Sequence, residues 1–169
     1  MINEFRIITN LHAQSLILKA EAWIKERLFP DFTVSAKFDW DSKRRSSRGG
    51  IYKEGPGINM AMYWAVPNNH GTTYRFYEYA SYDKDPSIGG FYSRNPYDKL
   101  DAILLHEIAH AVQFFSYKKT NTRCKPHGPV FKQYYKALRT EFINYRLPDQ
   151  AQLKADYESY VNKLGTNLL

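Results

Sequence analysis

The spacing of hydrophobic positions changes along the chain, and each change marks a predicted element. Between residues 11 and 28 apolar side chains recur at three- and four-residue steps (Leu16, Ala20, Trp23, Ile24, Leu28). This predicts a helix capped by Asn10 and ended by Phe29-Pro30. Residues 33–39 alternate instead, with Val34, Ala36 and Phe38 on one face and Thr33, Ser35, Lys37 and Asp39 on the other, as in a half-buried strand. The basic, Ser/Gly-rich run 43–50 predicts a connector, and Gly49-Gly50-Ile51-Tyr52 begins a short strand. A second alternating run over 58–66 points Ile58, Met60, Met62, Trp64 and Val66 to one side, and 67–71 reads as a turn. The aromatics Tyr74, Phe76, Tyr77, Tyr79 and Tyr82 either pack a sheet, with 89–93 as a pairing partner, or line a binding groove.

Helical spacing then returns. Asn95 as cap, Pro96 at the first position and acidic Asp98 and Asp101 in the early turns predict a helix running to about residue 117, with Leu100, Ile103 and Leu104 buried. After a polar, basic loop at 118–125, Gly128-Pro129 opens a helix striped by Phe131, Tyr134, Tyr135 and Leu138. Pro148 separates a last helix over 149–164, closed by Gly165. A helix, then strands, then helices indicates an α+β fold, and 169 residues suit a single domain over 1–169.

Composition narrows the function classes. With 43% hydrophobic and 24% charged residues the chain can build a core, and no apolar run approaches membrane-spanning length. The first ten residues lack the pattern of a secretory signal, and the single Cys124 excludes an internal disulfide framework and a Cys-rich zinc ribbon. A reducing, cytoplasmic setting is therefore expected. The net charge of +7 favours acidic partners such as nucleic acid, with the loops 43–48 and 118–125 as candidate contacts.

The chemistry concentrates in His106-Glu107-Ile108-Ala109-His110, an H-E-x-x-H motif in the most apolar helix of the chain. Histidines four residues apart share one helix face and can share one metal ion, whereas Glu107 is rotated by about 100° and reaches a water rather than the ion. Two histidines and a Glu would be costly in that apolar setting without such a role. A catalytic zinc needs a third protein ligand. Position 116 is Ser116, which excludes the metzincin spacing. Of the remaining histidines, His127 lies between a loop and a helix and can fold back over the motif, while His12 and His70 are expected to face solvent.

HEIAHA followed, after residues 112–126, by HGPVFK resembles the SprT-like metallopeptidase family. That family's pattern is HExxH and then His-Gly-x-x-Phe/Trp at the start of the next helix. The resemblance implies a zincin-like α+β fold: an N-terminal helix, a small mostly antiparallel sheet, the HExxH helix and C-terminal helices. It also implies one zinc ion on His106, His110 and His127, with Glu107 as the general base of an endopeptidase. Gly128 and Phe131 match the residues that shape the turn and pack the following helix. The family's frequent C-terminal zinc ribbon is absent from this sequence. Zincins lay an extended substrate on an edge strand, and the strand over 58–66 or its neighbour is the candidate; the sequence leaves open which.

The leading expectation is thus a zinc-dependent endopeptidase acting on protein or peptide, with DNA-bound or DNA-cross-linked proteins as one substrate class. The alternative is a non-enzymatic, zinc-containing module that binds DNA or protein, although structural zinc ordinarily takes four protein ligands and has no use for Glu107. Zinc-assisted hydrolysis of another carbonyl or phosphoryl centre is a third.

Overall fold

A computed structural model describes residues 2–41, 46–65, 71–120 and 125–167. It begins with helix α1 (Ile2–Arg27), whose buried stripe is Ala13, Leu16, Ile17, Ala20 and Ile24. Leu16, Ala20 and Ile24 are buried as predicted, whereas Trp23 is half-buried and Leu28 exposed, and the helix starts earlier than its periodicity indicates. Asn10 is interior to it and, instead of capping, accepts a hydrogen bond from Trp40 Nε1 at 3.0 Å. Tertiary contacts hold the early turns: Phe5 meets Trp40 edge-on, and Arg6 pairs with Asp41. At the other end, the amides of Leu28 and Phe29 both donate to the Ile24 carbonyl.

Strands β1 (Ser35–Asp39), β2 (Arg48–Tyr52) and β3 (Gly55–Ala61) form a sheet in the order β1-β3-β2. β2 and β3 are an antiparallel hairpin, and β1 joins β3 in parallel. The hairpin returns through Gly55, whose φ of 118° is open only to glycine without strain. Pro56 is tolerated in β3 because the β1 pairing begins only at Gly57. Ile58, Met60 and Met62 are buried as the alternation predicts, yet β3 ends at Ala61, and Val66 lies outside the described residues. Ala36 is exposed, against its predicted inward face. β3 is flanked on both sides and is not an edge of this sheet, whose two edges are its neighbours β1 and β2.

β4 (Tyr74–Phe76) and β5 (Phe91–Ser93) form a separate antiparallel pair, so only one of the three strand pairings among the described residues is parallel. Phe76 packs on Phe91 in the core, at 5.0 Å between ring centres.

Helix α2 (Pro96–Thr120) is the central element, packed against β2 and β3, against α1, and against α3 (Pro129–Phe142). Asn95 caps it as predicted, its Oδ1 accepting the Tyr97 amide at 3.0 Å. Leu100, Leu104, Leu105, Ile108 and Val112 fill the space between these layers. A 3-10 turn (Asn144–Arg146) leads to α4 (Gln150–Asn167), which runs through Gly165 rather than ending there. The Gln150 side chain bonds the Tyr92 amide and carbonyl, fastening α4 to β5 like one more sheet rung. The molecule is α+β, with four α-helices and small, mostly antiparallel sheets among the described residues.

Candidate metal centre

One turn of α2 separates His106 from His110, and the helix brings their Nε2 atoms to 3.2 Å. The turn before α3, closed by a hydrogen bond from the Gly128 amide to the Lys125 carbonyl, delivers His127. Its Nε2 is 3.2 Å from the same atom of each partner. Two nitrogens at about 2.0–2.1 Å from a tetrahedral ion stand about 3.3–3.4 Å apart, so the triangle has the right size for a metal. The three-histidine group can therefore hold a metal ion.

The far sides of two rings are fixed as well. His106 Nδ1 lies 3.1 Å from Glu78 Oε2, and His110 Nδ1 lies 3.1 Å from Gln113 Oε1. Donation from each Nδ1 to these oxygens leaves the Nε2 lone pairs aimed at the common centre. Glu78 also accepts from the Tyr135 hydroxyl at 2.8 Å, and Tyr135 in turn accepts from Arg139 Nη1 at 3.1 Å. Arg139 is fully buried and donates besides to the Gly89 carbonyl and Asn144 Oδ1. Gln113 Nε2 donates to the Lys125 carbonyl at 2.7 Å, tying α2 to the turn that carries His127. Tyr79 stacks on His127 at 5.2 Å, and Phe131 lies under His110 at 4.3 Å.

Burial controls the protonation states. It pulls His110 down to about 4 and lowers His127 too, which keeps both rings neutral and able to bind metal. Burial pushes the Glu107 carboxyl up to about 7; the neighbouring His106 charge opposes this and Glu78 adds to it, while the Gly49 amide pulls it back down. For Glu78, burial alone would raise the pKa, but the hydrogen bond and charge of His106, with the Tyr135 hydroxyl, outweigh it and hold the group below its ordinary value.

Glu107 and His106 face a cleft of about 340 Å3, bordered also by Glu78, Tyr77, Ile103 and Trp64. β2 presses directly on this turn of α2. A Cβ at Gly49 would stand 1.9 Å from the Glu107 carbonyl oxygen, so only glycine permits the approach.

Of the other sequence candidates, His12 is not free in solvent: it is half-buried within α1, stacked on Tyr97 at 4.2 Å and 2.7 Å from the buried Asp101. His70 and Cys124 lie outside the described residues, as do 42–45 and 121–124 of the two basic loops. Arg48 belongs to β2, and α2 extends through Lys118 and Lys119. Lys119 is engaged with Asp31 and with the Phe115 ring. Glu78, Gln113 and Arg139 carry roles that sequence reasoning missed, and Tyr79, one of the aromatics open to a sheet or a groove, stacks on His127. Gln113 was discoverable, three residues after His110 on the same helix face. Tyr135 falls on the apolar stripe of α3, which hides its hydroxyl's task. Glu78 follows β4 in irregular structure and gave no signal.

Residues 90–153 match the family model described as the SprT-like family. No curated protein and no solved structure matches the chain. The matched segment contains the whole histidine cluster, Glu107, Gln113 and the Tyr135–Arg139 brace, and over that segment the chain is similar to the SprT-like family.

Proposed function

We propose that the protein is a zinc-dependent endopeptidase in which His106, His110 and His127 hold one zinc ion and Glu107 is the general base. The observation that carries this reading is the convergence of three Nε2 atoms at 3.2 Å from one another, beside a carboxyl group that shares their cleft. Zinc held by three imidazoles supplies a Lewis acid that polarises a substrate carbonyl and acidifies water. Glu78 and Gln113 keep the His106 and His110 rings oriented and their Nε2 atoms unprotonated. The Glu107 carboxylate takes the proton of the attacking water and passes it to the amine that leaves. Its pKa, raised towards neutrality by burial, suits a group that must both accept and donate near pH 7; a neighbouring dication would lower it.

The substrate is a protein or peptide. Proteins bound or cross-linked to DNA are the class we infer from the net charge of +7. The test compares zinc-loaded wild type with Glu107→Gln on a DNA-binding protein substrate, with and without single-stranded DNA. The expected result is cleavage by wild type, and a loss of at least about a hundredfold in Glu107→Gln with zinc content unchanged. Equal cleavage by the two would overturn the mechanism. Zinc binding without cleavage of any substrate would favour a non-enzymatic binding module. Cleavage that ignores DNA would remove the DNA-linked substrate and leave the peptidase.

A further inference from the structure

A second cavity opens beside the histidine cleft, between the first turns of α1 and the first turns of α2. Its volume is about 130 Å3, and Phe5, Trp64, Tyr74 and Tyr97 make its walls aromatic. Trp64, Arg75 and Lys99 border both this cavity and the cleft of His106 and Glu107, so the two share one wall. We propose that the cavity is a specificity pocket for a single-ring aromatic side chain, tyrosine foremost, of an extended peptide substrate. Its place on the substrate rests on the peptidase reading above; its fit to the ring rests on the cavity alone.

Size selects the ring. An apolar cavity of about 150 Å3 takes up benzene, so this one holds a six-membered ring and is short of an indole. Thr9 selects among such rings. It is 2% exposed and borders the cavity, and its Oγ1 has no hydrogen-bond partner. A helical threonine divides between two χ1 rotamers, so its hydroxyl can reorient to meet a polar group of a ligand in the cavity it borders. A phenolic hydroxyl there supplies the missing partner, which phenylalanine cannot do.

Lys99 sets the register. Its Nζ stands 4.5 Å over the Trp64 ring, and it meets no carboxylate among the described residues. The ammonium is therefore available to a main-chain carbonyl of the substrate. Lys99, Ile103 and His106 succeed one another on one face of α2, two turns from end to end, or about 10 Å. An extended chain advances about 3.3 Å per residue, so the ring in the pocket belongs to about the third residue from the cleaved bond.

The first test uses p-cresol, the tyrosine side-chain analogue, titrated into the zinc-loaded full chain and followed by NMR. Saturable shifts at Thr9, Tyr97 and Lys99 are expected. They should vanish in Ala65→Trp, which fills the cavity from a half-buried position outside the metal group. Thr9→Val should weaken p-cresol several-fold and leave toluene unchanged. No saturable shift in wild type, or the same shift in Ala65→Trp, overturns the proposal whether or not the protein cleaves anything.

The second test is a peptide series with Tyr, Phe, Trp or Ala at each position up to four from the cleaved bond. Tyrosine should exceed alanine in kcat/KM by roughly ten- to a hundredfold at one of them, and Ala65→Trp should level the series. A flat series with active cleavage overturns the pocket and leaves the peptidase reading standing. Binding of p-cresol without cleavage of any peptide overturns the peptidase reading and, with it, the substrate named here.

Discussion

Glu78 joins two parts of the molecule that never meet in sequence: the segment after β4, and the buried Tyr135–Arg139 pair of α3, both brought to bear on His106. A carboxylate on the far nitrogen of a metal-binding histidine fixes the ring and raises its basicity, and its loss typically lowers metal affinity by about 10- to 100-fold. Glu78→Gln is accordingly expected to weaken zinc by about that factor while the fold persists, read by competition against a chromophoric chelator. Tyr135→Phe acts one bond further away and should cost less. An unchanged zinc affinity in Glu78→Gln would show that the ring is held by its packing against Phe131 and Tyr135 alone. The sequence exposed the histidines because their spacing on a helix is itself the signal. It hid Glu78 because no periodicity ties an irregular segment to a distant ring.

Among the elements, β2 and α2 approach more closely than any residue but glycine at position 49 allows. Gly49→Ala must part the strand from the turn that carries Glu107, at a cost of about 1–3 kcal/mol or more, a fall in Tm of roughly 3–10 °C. Gly50→Ala meets only the Phe114 ring at 3.9 Å and should melt as wild type does. Thermal unfolding of the pair checks both. The helices were legible wherever an apolar stripe and a cap coincide, as for α2 with Asn95 and Pro96. They were misjudged where partners elsewhere do the holding. The early turns of α1 rely on Trp40 and Asp41, and β3 begins at Gly55, ahead of the alternation that starts at Ile58. Strand order was invisible because the parallel β1–β3 pairing depends on contacts between segments separated by β2.

Across the whole molecule, the metal group sets a dependence of stability on pH. Glu107 is raised in the fold from its ordinary 4.5 to about 7, so the native state holds a proton that the unfolded chain has released. Its penalty is absent below pH 4.5, grows as pH rises and is complete above about 7, where it amounts to roughly 3 kcal/mol at most. His110, lowered to about 4, acts with the opposite sign: it costs stability as pH falls below 6.5. In zinc-stripped protein, Glu107→Gln should therefore melt above wild type at pH 8 and level with it near pH 4, since His110 titrates alike in both. A constant difference between the two melting curves across that range would contradict the buried-carboxylate origin. Zinc loading should add stability to both proteins by mass action.

The three proposed ligands are not equivalent in how they can let go. His106 and His110 ride on the same turn-to-turn rise of a packed helix and cannot separate without unwinding it, whereas His127 is exposed and joined to α2 through the Gln113–Lys125 hydrogen bond. Metal exchange should consequently be ordered in time, with His127 departing first and the helical pair retaining the ion until a competing ligand takes the vacated position. Gln113 is then a kinetic latch as well as an orienting partner. Gln113→Leu should accelerate zinc transfer to an external chelator by a larger factor than it weakens equilibrium binding, and stopped-flow transfer rates set beside Kd values would tell the two effects apart.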